Sequence, residues 1–162
     1  MATSGVVWDG AARLGPVSLG MTLDEIKVIL PGVGSWGDDI GDGETPYFWN
    51  SESHGLSIQT LFGVTISITA DRSLVYDQRE VIGMCCDAAV ALLGGEVGRS
   101  DLGDPISFIS TGSGLELSIE NDRILWVTLC ASEAEIDSLC VHGVDGQVRS
   151  ETARASRPTD MR

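Results

Sequence analysis

What most constrains this chain is a stretch it carries twice. Leu19–Gly32, LGMTLDEIKVILPG, returns 63 residues later as Ile82–Gly95, IGMCCDAAVALLGG. Gly20 falls on Gly83, Met21 on Met84, Asp24 on Asp87, Leu30 on Leu93 and Gly32 on Gly95. Fixed-offset similarity of this kind means one supersecondary unit used twice, each copy needing the other to bury its apolar side.

The first copy reads as a short helix with both ends marked. Thr22 followed by Glu25 is a capping box, in which the hydroxyl accepts from a first-turn amide and the carboxylate reaches back. Leu23, Ile26, Ile29 and Leu30 form one apolar stripe, and Pro31-Gly32 stops the ladder. The second copy keeps the stripe as Cys86, Ala89, Leu92 and Leu93 but has Cys85 where the cap should be. Helices of two or three turns are marginal alone, so each is expected to lie on a sheet.

Downstream of the helices the similarity continues at an offset of 59, pairing Pro46 with Pro105, Trp49 with Phe108, Leu56 with Leu115, Ile58 with Leu117, Ile66 with Leu125 and Ile68 with Val127. The change of offset assigns four extra residues to the first copy, in the loop Trp36–Glu44. Each copy then reads as helix, loop and three strands: Tyr47–Asn50, Leu56–Leu61 and Val64–Ala70, then Ile106–Ser110, Leu115–Glu120 and Ile124–Cys130. Short turns between them predict antiparallel meanders. The expected fold is therefore α+β: two helix–three-strand repeats, at about 17–71 and 80–130, forming one antiparallel sheet with the helices on one face. Residues 1–148 are read as one domain, with an opening strand at Ser4–Trp8 and a short helix near 133–140 capped by Ser132 and Glu135. Gly10–Pro16 and Val33–Thr45 read as loops, and 149–162 as a flexible tail.

Alternation assigns the two faces of the sheet. Tyr47, Trp49, Leu56, Ile58, Val64, Ile66 and Ile68 point one way, as do Ile106, Phe108, Leu115, Leu117, Leu125, Val127 and Leu129. This is the face for the helices. The other carries Phe48, Ser57, Gln59, Thr65, Ser67 and Thr69 in one copy, and Ser107, Glu116, Ser118, Glu120, Ile124, Trp126 and Thr128 in the other. It is expected to stand open to solvent, as antiparallel sheets permit.

Charge narrows the partners. Twenty-four acidic residues face ten basic ones, for a net charge of −14, and Lys27 is the only lysine. Between Lys27 and Arg72 there is no basic residue, while Asp38, Asp39, Asp42, Glu44, Glu52 and Asp71 are all acidic. Such a field repels phosphate backbones and favours a protein partner with a basic surface, so no direct nucleic-acid binding is expected. No run approaches a membrane span, and MATSGVVWDG lacks the basic and apolar regions of a secretory signal. A cytoplasmic protein is expected.

Nothing in the sequence assembles a catalytic set. Cys85, Cys86, Cys130 and Cys140 lack paired knuckle spacing, so neither zinc nor a disulfide framework is expected. Asp38-Asp39-x-x-Asp42-x-Glu44 misses the calcium-loop register, and the glycine-rich segments miss both phosphate-cradling patterns. No metal, cofactor or catalytic residue is expected. Binding is the better use of what remains. Trp126, Phe48, Gln59, Ser67, Glu116 and Ser118 on the open face form the candidate partner surface, together with Trp36 and the acidic loop residues Asp38, Asp39, Asp42 and Glu44. Aromatic anchors among small polar residues are typical of interfaces.

G-M-T-x-x-E-I opening a short helix, followed by a three-stranded meander and then given again, resembles the beta-lactamase-inhibitor-protein-like fold and the small-protein-A type of assembly factor. The resemblance spans about Val17–Cys130 and implies a binder: members present a concave sheet to an enzyme or work within complexes, and many bacterial immunity proteins look similar. Unlike the secreted inhibitors and the lipoproteins, this chain shows no signal, lipobox or paired cysteines. The reading is a cytoplasmic, non-enzymatic inhibitor, an immunity protein against a basic toxin or nuclease domain. The alternatives are an acidic decoy or anti-defence protein occupying a nucleic-acid-binding protein, and a small cysteine-based enzyme or sensor.

Overall fold

The computed structural model describes residues 6–10, 12–36, 47–101 and 105–143. In chain order the elements are β1 (Val6–Val7), β2 (Arg13–Leu14), β3 (Val17–Ser18), α1 (Leu23–Ile29), β4 (Gly34–Trp36), β5 (Tyr47–Ser51), β6 (Leu56–Leu61) and β7 (Val64–Ala70). They continue with β8 (Leu74–Tyr76), β9 (Arg79–Glu80), α2 (Cys86–Leu92), β10 (Glu96–Asp101), β11 (Ser107–Thr111), β12 (Leu115–Glu120), β13 (Arg123–Cys130) and α3 (Glu133–Gly143). An eight-stranded antiparallel sheet ordered β10-β11-β12-β13-β7-β6-β5-β4 dominates, beside the small sheets β1-β8-β9 and β2-β3.

This corrects the α+β expectation of two helix–three-strand repeats. The described chain is mostly strand, with only three short helices. Four segments account for the difference. The glycine-rich stretch after α1 and the stretch after α2 form the edge strands β4 and β10 rather than loops, because glycine and serine are tolerated where only one strand edge must pair. The supposed connector Gly10–Pro16 supplies β2, which pairs with β3. Leu74–Glu80 forms a hairpin whose first strand pairs in parallel with β1. Glu80 fastens that hairpin, its carboxylate accepting from the Leu74 amide at 2.7 Å and the Ile82 amide at 3.1 Å.

The helix starts follow their local chemistry. Thr22 Oγ1 accepts from the Glu25 amide at 3.2 Å, while Glu25 Oε1 accepts from the Thr22 amide at 2.9 Å. Cys85 leaves α2 without a side-chain cap. Ahead of each helix the chain pairs with the start of a sheet strand in the same way. The Gly20 amide donates to Thr65 O and the Thr65 amide to Met21 O; the Gly83 amide donates to Ile124 O and the Ile124 amide to Met84 O. Gly20 and Gly83 both have φ of +89°, a conformation that side chains resist. A glycine recurs at this point because the backbone must turn there.

The core lies on one face of the large sheet. Ile26 and Leu30 from the α1 segment and Cys86, Ala89 and Leu93 from the α2 segment share one buried cluster with Trp49, Ile58, Ile68, Ile109, Leu117 and Val127 of the sheet. Val6, Trp8, Leu74 and Val81 extend it from the small mixed sheet. Trp49 keeps its indole N–H satisfied by donating to Thr60 Oγ1 at 2.9 Å, and the Lys27 ammonium sits 5.5 Å from its ring centroid.

Alternation assigns most faces correctly and fails at two bulges and one turn. The ladder skips Ile66 between β6 and β7, and Leu125 between β12 and β13. An extra residue reverses the phase beyond it. Ile124, expected on the open face with Trp126, is therefore in the core at 1% exposure, opposite Ile119. The third slip is in β11. Ser51 pairs with Leu56, but Ser110 pairs with Glu116, so the second meander has a tighter turn. That puts Ile109 into the core and turns Phe108 to the opposite face.

Candidate binding face

The strand register lines up the polar face in rows running across the sheet. Cross-strand partners share a face. One row runs Phe48, Gln59, Ser67, Cys130 through β5, β6, β7 and β13, and Trp36 of β4 holds the register position beside Phe48. A second runs Asn50, Ser57, Thr69, Thr128, Glu116, Ser110. A third runs Trp126, Ser118, Phe108, Ser100 through the other half. Six residues singled out from the sequence, Phe48, Gln59, Ser67, Glu116, Ser118 and Trp126, thus share one face. Asp38, Asp39, Asp42 and Glu44 fall outside the described residues.

The face is less open than alternation predicts. Phe48 is exposed, and Gln59, Glu116, Phe108 and Trp126 are half-buried. Ser67, Thr128 and Ser118 are buried. Short hydroxyl side chains lie at the bottom of this surface, while the long and aromatic ones rise from it. Hydrogen bonds tie the floor together across the centre of the sheet: Thr69 and Thr128 hydroxyls meet at 3.0 Å, and Cys130 Sγ donates to Ser67 Oγ at 3.6 Å. Desolvation pushes the Cys130 thiol above its ordinary range, the Ser67 bond opposes this, and the nearby Glu116 charge adds to it.

Phe108, like Ile124, lies on the face opposite to the one alternation assigns. The sequence carries no signal for it, because Trp49–Leu56 and Phe108–Leu115 have the same spacing. The difference is in the pairing, where the turn after β11 closes one residue shorter than its counterpart after β5 and so exchanges faces. Ser118 holds a further surprise. Its Oγ is buried with no hydrogen-bond partner, alone in this among the described residues.

Other chemistry is thin here. Among the described residues no group of three or more His, Cys, Asp or Glu side chains converges as a metal set. Ser51 and Ser53 hydroxyls lie 2.9 and 3.1 Å from His54 Nδ1 in the β5–β6 turn, where they order an exposed ring. No helix among the described residues is long and apolar enough to cross a membrane. Comparison with protein-family models, with curated proteins and with solved structures gives no match, so the likeness to inhibitor-type folds rests on the repeated motif of this chain alone.

Proposed function

We propose that this chain is a non-enzymatic inhibitor acting in the cytoplasm, an immunity-type protein that binds a basic partner such as a toxin or nuclease domain through the polar face of its large sheet. One observation carries the reading: three cross-sheet rows bring Phe48, Gln59, Ser67, Glu116, Ser118 and Trp126 to a single face. Buried hydroxyls there surround aromatic side chains that keep part of their surface in water. Large amphipathic rings in a polar setting contribute most of the energy of typical interfaces. The acid excess of 24 over 10 then selects a partner of opposite charge and speeds encounter.

Affinity capture from the native cell, with the wild-type chain and its Trp126→Ala and Phe48→Ala variants as baits, tests this. The expected result is a basic protein held by the wild type, lost or weakened by about 2 kcal/mol or more in the variants, and released faster as salt is raised. Neither ring packs in the core, so both variants keep the wild-type melting temperature within a few degrees. A purified partner that binds both variants at full strength moves the interface off this face.

A further inference from the structure

One row of the polar face has a feature that packing alone does not explain. Ser118 lies in β12 with Phe108 beside it in β11 and Trp126 beside it in β13. It is fully buried, and its Oγ has no partner. A hydroxyl buried without a partner destabilises a fold, and each native instance calls for an explanation. Alanine would serve the sheet better here. Two positions along β12 in either direction, on the same face, stand Glu116 and Glu120, both half-buried. Each is about 6–7 Å from Ser118 along the strand. Arg123 is opposite Glu120 in the register, but its Nη1 donates to Gly83 O at 3.3 Å. The ion pairs among the described residues, Arg13–Asp9 and Arg99–Glu96, involve neither glutamate.

Geometry limits what enters. The strands carrying Phe108 and Trp126 are two steps apart, about 9.6 Å. A group stacked between two rings needs about 3.5 Å on each side, so the slot admits something one atom thick. We infer that it takes the guanidinium of an arginine presented by the partner protein. A guanidinium is flat and cationic, with five N–H donors in its plane. Its faces stack on the Trp126 and Phe108 rings, one N–H reaches Ser118 Oγ, and the remaining edge donates to Glu116 and Glu120. An ammonium has no flat faces to stack, and a phosphate is repelled by both carboxylates. Ser118 is fully buried in the structure, so arginine entry requires the half-buried rings on either side of it to part. This inference rests on reading the face as a protein-binding surface.

The test uses nitrogen-15-labelled full-length chain titrated with N-acetyl-arginine methylamide, and separately with the lysine and citrulline equivalents. The signals followed are the Phe108 and Ser118 amides and the Trp126 indole N–H. Arginine is expected to give saturable shifts in this row, with binding about tenfold weaker for lysine and undetectable for citrulline. Glu116→Gln combined with Glu120→Gln weakens arginine binding about tenfold, and Ser118→Ala weakens it about threefold. Equal responses to arginine and lysine, arginine shifts spread without saturation over the surface, or binding undiminished in the double variant would each overturn the slot. The two readings fail separately. Saturable arginine binding in this row, without any partner protein engaging the face, supports the slot and removes the inhibitor reading. A purified partner that loses its grip on Trp126→Ala, while the arginine probe leaves the row unmoved, sinks the slot alone.

Discussion

Ser118 bears a cost that its neighbours in β12 do not. Leu117 and Ile119 gain from burial, whereas the Ser118 hydroxyl gave up water for no partner. Removing it recovers a desolvation penalty of about 1–3 kcal/mol, less what is lost by leaving a small void. Ser118→Ala is therefore expected to hold or raise stability, by up to about 1 kcal/mol, in urea titrations with unchanged slope. A loss above 1 kcal/mol would mean that the hydroxyl has a partner after all. The face of this residue was legible in the sequence, since the register sets Ser118 on the face opposite to that of Leu117 and Ile119, as alternation from Leu115 to Glu120 places it. Its isolation was not, because a missing hydrogen bond depends on what the flanking strands bring. Phe108 shows the same limit. Its local sequence, Ile106-Ser-Phe108-Ile109, puts apolar side chains on both faces, and only the pairing with β12 decides which goes inside.

At the scale of elements, what could be read was whatever is encoded within a few residues. The capping boxes at Thr22–Glu25 and Ser132–Glu135 both form, since donor and acceptor lie within one turn. The edge strands could not be read this way. β4 and β10 are short on apolar alternation, and what makes them strands is the free edge of β5 or β11 beside them. Bulges at Ile66 and Leu125 were equally hidden, because each depends on a helix start pairing with the foot of the same strand. One such tertiary joint is sharp enough to test. The end of α2 docks on the β11–β12 turn, where the Gly112 amide donates to Gly95 O and the Ser113 amide to Leu93 O. A Cβ on Gly112 would stand 2.6 Å from the Gly94 carbonyl oxygen. Backbone must then shift, so Gly112→Ala is expected to cost about 1–3 kcal/mol. Gly34→Ala meets nothing within 4 Å and serves as the comparison, with a melting temperature near wild type. Equal melts for the two would show that the α2 joint is loose.

Across the whole molecule, two meanders of local hairpins meet along one line. β7 and β13 pair over Val127–Ala70, Thr128–Thr69, Leu129–Ile68 and Cys130–Ser67, residues some sixty positions apart in the chain. Every other pair in the large sheet joins strands that follow one another in sequence. That arrangement has a consequence in time. Hairpins close quickly because their loops are short, while a junction between distant segments waits on a costly chain closure. The two meanders are thus expected to form first, leaving the central junction to complete the native state. Contacts made after the transition state govern how long a folded molecule lasts and leave the rate of reaching it unchanged. Thr128→Val, which removes the Thr69 hydroxyl pairing while nearly preserving shape, is accordingly expected to accelerate unfolding severalfold in stopped-flow denaturant jumps and to leave refolding as it was. Slower refolding with an unaltered unfolding limb would place the junction in the folding nucleus instead. On the expected outcome, the half-life of this protein against unfolding is decided by four residue pairs at the centre of its sheet.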